Sequence, residues 1–125
     1  MFSAHYGSLL LVAAVMAGCS TPVVQQGETQ DSRSPYEQRE DALGTLLNEA
    51  WNASAEGRLD EAESRLSRAM RINPAAPEVY YQMALLRQLQ GFLEQARQLA
   101  VRAMSLGPDD RHEQQLSRLL NGLDS

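Results

Sequence analysis

Six residue pairs recur in this chain at one spacing, 34 positions. They are Gly57 and Gly91, Leu59 and Leu93, Ala62 and Ala96, Ala69 and Ala103, Met70 and Met104, and Pro74 and Pro108. An ordered match of this kind constrains the fold more than composition does, because it requires one supersecondary unit used twice and stacked on itself. The residue types suit two helices joined by a turn. Glycine supplies a left-handed residue that closes a first helix without a Cβ clash. Alanine lets paired helices approach closely, and proline stops the second helix.

The apolar spacing predicts five helices, at 35–56, 59–72, 77–90, 93–106 and 110–122, and no strands. Ser34 is the expected N-cap of the first, with Pro35 at its first position and Glu37 as the capping-box partner. Asp110, with Glu113 three residues on, is the expected cap of the last. In the first helix Leu43, Leu46, Ala50 and Ala53 form the stripe expected to pack inward. Leu116, Leu119, Leu120 and Leu123 give the last helix the apolar spacing of a closing element.

The order Gly-x-Leu, Ala, Ala-Met, Pro over 34 residues resembles the tetratricopeptide repeat. The resemblance covers residues 43–108 and implies an all-α fold of two helix–turn–helix repeats plus a C-terminal capping helix, with a domain at 35–125. Glu49 and Arg87 depart from the pattern, standing where the repeat usually carries an apolar or aromatic residue. Two units are few for a stacked fold, and a homodimer that extends the stack is one expected remedy.

Repeats of this family bind peptides or proteins on a concave face lined by the first helix of each unit. Carried over by position, the resemblance implies Leu47, Asn48 and Trp51 in the first unit, and Tyr81, Gln82, Leu85 and Gln88 in the second. Trp51 is the first choice for an interface anchor, given the enrichment of Trp and Tyr at binding hot spots. The plainer alternative has it packing against the second unit or covering the domain's end.

Composition excludes several functions. With 11 Lys+Arg against 16 Asp+Glu the net charge is −5, which argues against nucleic-acid binding and against a polybasic membrane patch. One cysteine, Cys19, makes no intramolecular disulfide, and it has no Cys or His grouping around it for zinc. Nothing sets a nucleophile beside a base, so no catalytic residue and no cofactor is assigned. Asp109 and Asp110 read as a helix start, not as a paired-carboxylate site.

The N-terminus reads as an address. Residues 1–18 contain no Asp, Glu, Lys or Arg, and Leu9 to Ala17 form a nine-residue apolar run. That is shorter than the roughly 20 residues of a membrane span and fits the apolar core of a signal peptide. Ala17-Gly18-Cys19 resembles the lipobox of bacterial lipoproteins, with Met16 where Leu is usual. The resemblance implies cleavage after residue 18, lipidation of Cys19 and, from Ser20 beside it, residence in the outer membrane facing the periplasm. An uncleaved anchor and an ordinary signal peptide are the alternatives. From Ser20 to Ser34 the composition turns to Ser, Thr, Gln, Gly, Glu and Pro, which predicts a disordered tether with a reach of roughly 50 Å.

These parts together, and the stretch Ala69 to Gly91, resemble the small outer-membrane tetratricopeptide-repeat lipoproteins of pseudomonads and relatives. That resemblance implies a lipid-anchored partner that stimulates a class A penicillin-binding protein during peptidoglycan synthesis. A scaffold for pilus or secretin assembly and a homo-oligomeric structural lipoprotein are the competing expectations.

Overall fold

The computed structural model describes residues 33–125, which lie in one unit spanning Asp31–Ser125. The expected signal peptide, Cys19 and most of the expected tether lie outside the described residues.

Five helices follow one another: α1 (Ala42–Ala55), α2 (Leu59–Ile72), α3 (Pro77–Leu89), α4 (Leu93–Ser105) and α5 (Asp110–Leu123). The turns close as the glycines require. After α1, Gly57 N–H donates to Ser54 O and Arg58 N–H to Ala53 O. After α3, Gly91 and Phe92 donate to Gln88 O and Arg87 O in the same pattern. Both glycines have φ near +80°, at 76° and 82°, so the left-handed residue satisfies the last carbonyls of each first helix. Pro74 and Pro108 lie just beyond α2 and α4, as expected.

One helix start and one cap differ from expectation, and the ends of α1, α3, α4 and α5 shift by one residue. The first helix starts at Ala42, not residue 35. Ser34 instead closes a local turn: its Oγ accepts from Tyr36 N–H at 3.2 Å and its carbonyl from Glu37 N–H at 3.2 Å. The chain then extends through Asp41 (ψ 159°) before turning helical. Continuing a helix from Pro35 would carry Tyr36 and Arg39 away from α3, where one is buried and the other ion-paired. At α5 the cap is Asp109, not Asp110, because Asp109 accepts from His112 N–H at 2.8 Å.

α1 pairs with α2 and α3 with α4, and α5 closes against α4 and α3. The first helices α1, α3 and α5 adjoin in sequence order, whereas α2 and α4 do not touch. The α1, α3 and α5 helices therefore form one continuous inner layer, and α2 and α4 are splayed apart on its other side. Ala50, Ala53, Ala62, Ala69, Ala84, Ala96, Ala100 and Ala103 are all fully buried.

Helix α3 serves both halves of the core. Val79 and Leu86 join Leu43, Leu46, Leu47 and Leu66 in one cluster, and Ala84 joins Leu116 and Leu119 in the other. Thirty-four positions before Val79, Gln82, Met83 and Leu86, the face of α1 carries Thr45, Asn48, Glu49 and Asn52. The face that docks α3 onto the first unit is thus polar in α1, and the apolar stack begins there.

Candidate protein-binding face

The inner layer offers α1, α3 and α5 side by side, and the expected partner residues divide within it. Leu47 is fully buried and belongs to the first core cluster. Gln82 is only 4% exposed, and its Nε2 donates to Leu47 O at 2.9 Å. Both hold α1 and α3 together; neither presents a surface to a partner. The expectation placed them on the groove because the 34-residue register marks helix positions but not which neighbour covers them.

The others lie nearer the surface. Trp51 and Asn48 are half-buried on α1, and Tyr81 and Leu85 half-buried on α3, with Gln88 exposed one turn beyond Leu85. Trp51 packs against the first core cluster, Tyr81 and Leu85 against the second. Tyr81, Leu85 and Gln88 follow at i, i+4 and i+7 and so share one face of α3. Burial raises the Tyr81 phenol above its ordinary range, opposed by the positive charge of Arg118 on α5. Asn48 Oδ1 is buried with no hydrogen-bond partner, although the Asn48 side chain as a whole is only half-buried.

A strap that was expected to be helix crosses one end of this face. Tyr36 is 4% exposed and joins the core cluster of Leu43, Leu47 and Val79. Its phenol is pushed well above the ordinary tyrosine range, chiefly by burial, beside the Gln82 side chain. Arg39 grips Asp41 through Nε and Nη2, at 2.9 and 2.7 Å, and donates through Nη1 to Glu78 of α3 at 3.1 Å. The strap passes so close to α1 that a Cβ on Gly44 would lie 2.3 Å from Arg39 Cβ. Only glycine fits there. A glycine inside a helix costs about 1 kcal/mol relative to alanine, so Gly44 in the first turn of α1 was the one sequence signal of this close approach.

Between the strap and the starts of α3 and α5 lies an open hollow of about 350 Å³. Tyr36 and Arg39 form one wall; Pro77 and Glu78 of α3 and Arg111 and His112 of α5 line it from the other side. Arg111 and His112 stand 34 positions after Pro77 and Glu78, so the hollow lies along the inner layer.

The two departures from the repeat pattern are ion pairs. Glu49 Oε2 meets Arg65 Nε at 3.2 Å, joining α1 to α2. Arg87 meets Glu63, joining α3 to α2. Polar residues at these positions are compatible with packing because each finds its counter-ion on the adjoining helix.

Comparison with known proteins matches residues 53–120, more than half of the chain, to the family described as tetratricopeptide repeat. The chain belongs to the tetratricopeptide-repeat family. No curated protein and no solved structure matches it. Tetratricopeptide repeats are interaction scaffolds that typically bind protein partners. Among the described residues no group of three or more His, Cys, Asp and Glu is placed to hold a metal ion, and no helix is long and apolar enough to cross a membrane.

Proposed function

We propose that this tetratricopeptide-repeat protein is a lipid-anchored module that docks an envelope protein on its inner face, held at the outer membrane through Cys19. The partner that the sequence resemblance favours is a class A penicillin-binding protein, whose glycan synthesis the docked module stimulates. The observation that carries the docking is the half-buried series Trp51, Tyr81 and Leu85, with Gln88 exposed beyond it, on the first helices of two consecutive units. Large side chains in partly dry settings are where a protein partner gains most from contact. Support for the anchor is the apolar run Leu9 to Ala17 ending at Gly18-Cys19.

The polar series Thr45, Asn48, Glu49 and Asn52, at the α1 positions equivalent to those that dock α3 onto the first unit, speaks against a stack continued by a second copy and favours docking of a different protein. The experiment is to add the purified full chain to a purified class A synthase and follow glycan polymerisation and crosslinking. Stimulation that Trp51→Ala removes is the expected result; no stimulation and no binding would end this choice of partner.

A further inference from the structure

The strap of residues 34–41 has the properties of a seated ligand more than those of a structural element. Its main-chain hydrogen bonds are local, Glu37 N–H to Ser34 O and Arg39 N–H to Tyr36 O. Among the described residues, no main-chain hydrogen bond joins residues 34–40 to α2, α3, α4 or α5. Two side chains fasten it: Tyr36, buried in the core cluster, and Arg39, paired with Glu78. The seat they use is on the inner layer, on the same helices as Trp51, Tyr81 and Leu85.

We propose that this seat is a recognition site for a turned partner segment carrying an aromatic residue followed three positions later by an arginine, and that the chain's own strap occupies it until the partner displaces it. The chemistry follows from what is seated there. The aromatic ring replaces Tyr36 against Leu43, Leu47 and Val79, with the Gln82 side chain beside its polar tip. The arginine replaces Arg39 on Glu78, whose side chain is only 20% exposed, so a cation is wanted at that end and an anion is repelled. Gly44 makes room for the arginine, since any larger residue would meet the Arg39 side chain. The neighbouring hollow leaves room for the incoming segment to enter beside the strap before the strap leaves. Such a competition lowers the apparent affinity by the fraction of molecules whose seat is open.

This inference rests on the inner face being the docking face, but its test needs no envelope partner. A labelled peptide of Arg33–Asp41 is titrated into the full chain and into a Tyr36→Ala, Arg39→Ala variant whose own strap no longer fills the seat. The variant should bind the peptide at least tenfold more tightly than the native chain does. The gain should vanish with a Tyr36→Ala peptide, and also when Gly44→Ala is added to the variant. A folded variant that binds no better than the native chain overturns the proposal. So does a native dimer that the peptide dissociates, because the seat would then belong to a second copy's strap.

Should the double variant lose its helical circular dichroism, Gly44→Ala alone decides the matter. It favours α1 by propensity while displacing Arg39. Amide exchange over residues 34–41 should then rise at least tenfold with exchange in α1 to α5 unchanged. Unchanged strap exchange, or exchange rising throughout the domain, would mean that the strap is a permanent part of the fold.

Discussion

Arg87 of α3 holds both carboxylate oxygens of Glu63 on α2, Nη2 to Oε1 at 2.7 Å and Nη1 to Oε2 at 3.3 Å. The pair is a two-point fork between one repeat and the next, and the Arg87 side chain is 19% exposed against 41% for Glu63. The guanidinium also donates to Gln90 Oε1 at 2.7 Å, which fixes its orientation. A double-mutant cycle with Arg87→Gln and Glu63→Gln should give a coupling of about 1 kcal/mol, toward the upper end for a partly exposed pair because of the fork geometry. Chemical denaturation of the four proteins measures it; a coupling of zero would reduce the pair to a surface coincidence.

The same pair has a pH signature. The Arg87 hydrogen bond holds the Glu63 carboxyl below its ordinary range. A depressed folded value means that the folded state binds fewer protons than the unfolded chain. The stabilisation is therefore complete above the unfolded pKa of about 4.3 and is lost as pH falls through the lower folded value. Glu63→Gln should shrink the difference in urea midpoint between pH 7 and pH 3. An unaltered difference would remove Glu63 from the acid response.

Leu47 and Trp51 share α1 and should separate cleanly in experiment. Leu47 is fully buried, so Leu47→Ala should destabilise the fold by about 2–5 kcal/mol. Trp51→Ala, half-buried, should keep the circular dichroism of the native chain and lose captured envelope proteins in a pull-down. Equal recovery of every captured protein by both chains would show that Trp51 is not the anchor.

Asp109 caps α5 through His112 N–H and also meets His112 Nδ1 at 2.8 Å. The backbone donor and the imidazole together hold its carboxyl below the ordinary range. Asp109→Ala should speed amide exchange in the first turn of α5 and lower the melting midpoint by a few degrees, whereas Asp110→Ala should leave both nearly unchanged. Reversed effects would restore Asp110 as the cap.

The polar α1 positions equivalent to the docking face of α3 predict a monomer. Sedimentation of the unprocessed chain at high concentration should give a single mass near 13.8 kDa. A concentration-dependent doubling of that mass would show that Thr45, Asn48, Glu49 and Asn52 do not prevent stacking.

What the sequence determined by itself is the repeat. Gly57 and Gly91 close helices through hydrogen bonds to carbonyls within five residues, and Pro74 and Pro108 end helices through the geometry of their own rings. Such local effects leave a readable spacing, so α2 was legible to the residue and α3, α4 and α5 nearly so. Of the expected partner residues, Trp51, Asn48, Tyr81, Leu85 and Gln88 stay within reach of the surface, while Leu47 and Gln82 do not. Only the tertiary structure decided that difference, because burial depends on which helix comes to lie alongside. It also decided the strap. Ser34-Pro35-Tyr36-Glu37 has the residues of a helix start, yet the chain there follows the burial of Tyr36 in the core and the charge of Glu78, 39 residues beyond Arg39. No window of local sequence contains an attraction between residues that far apart.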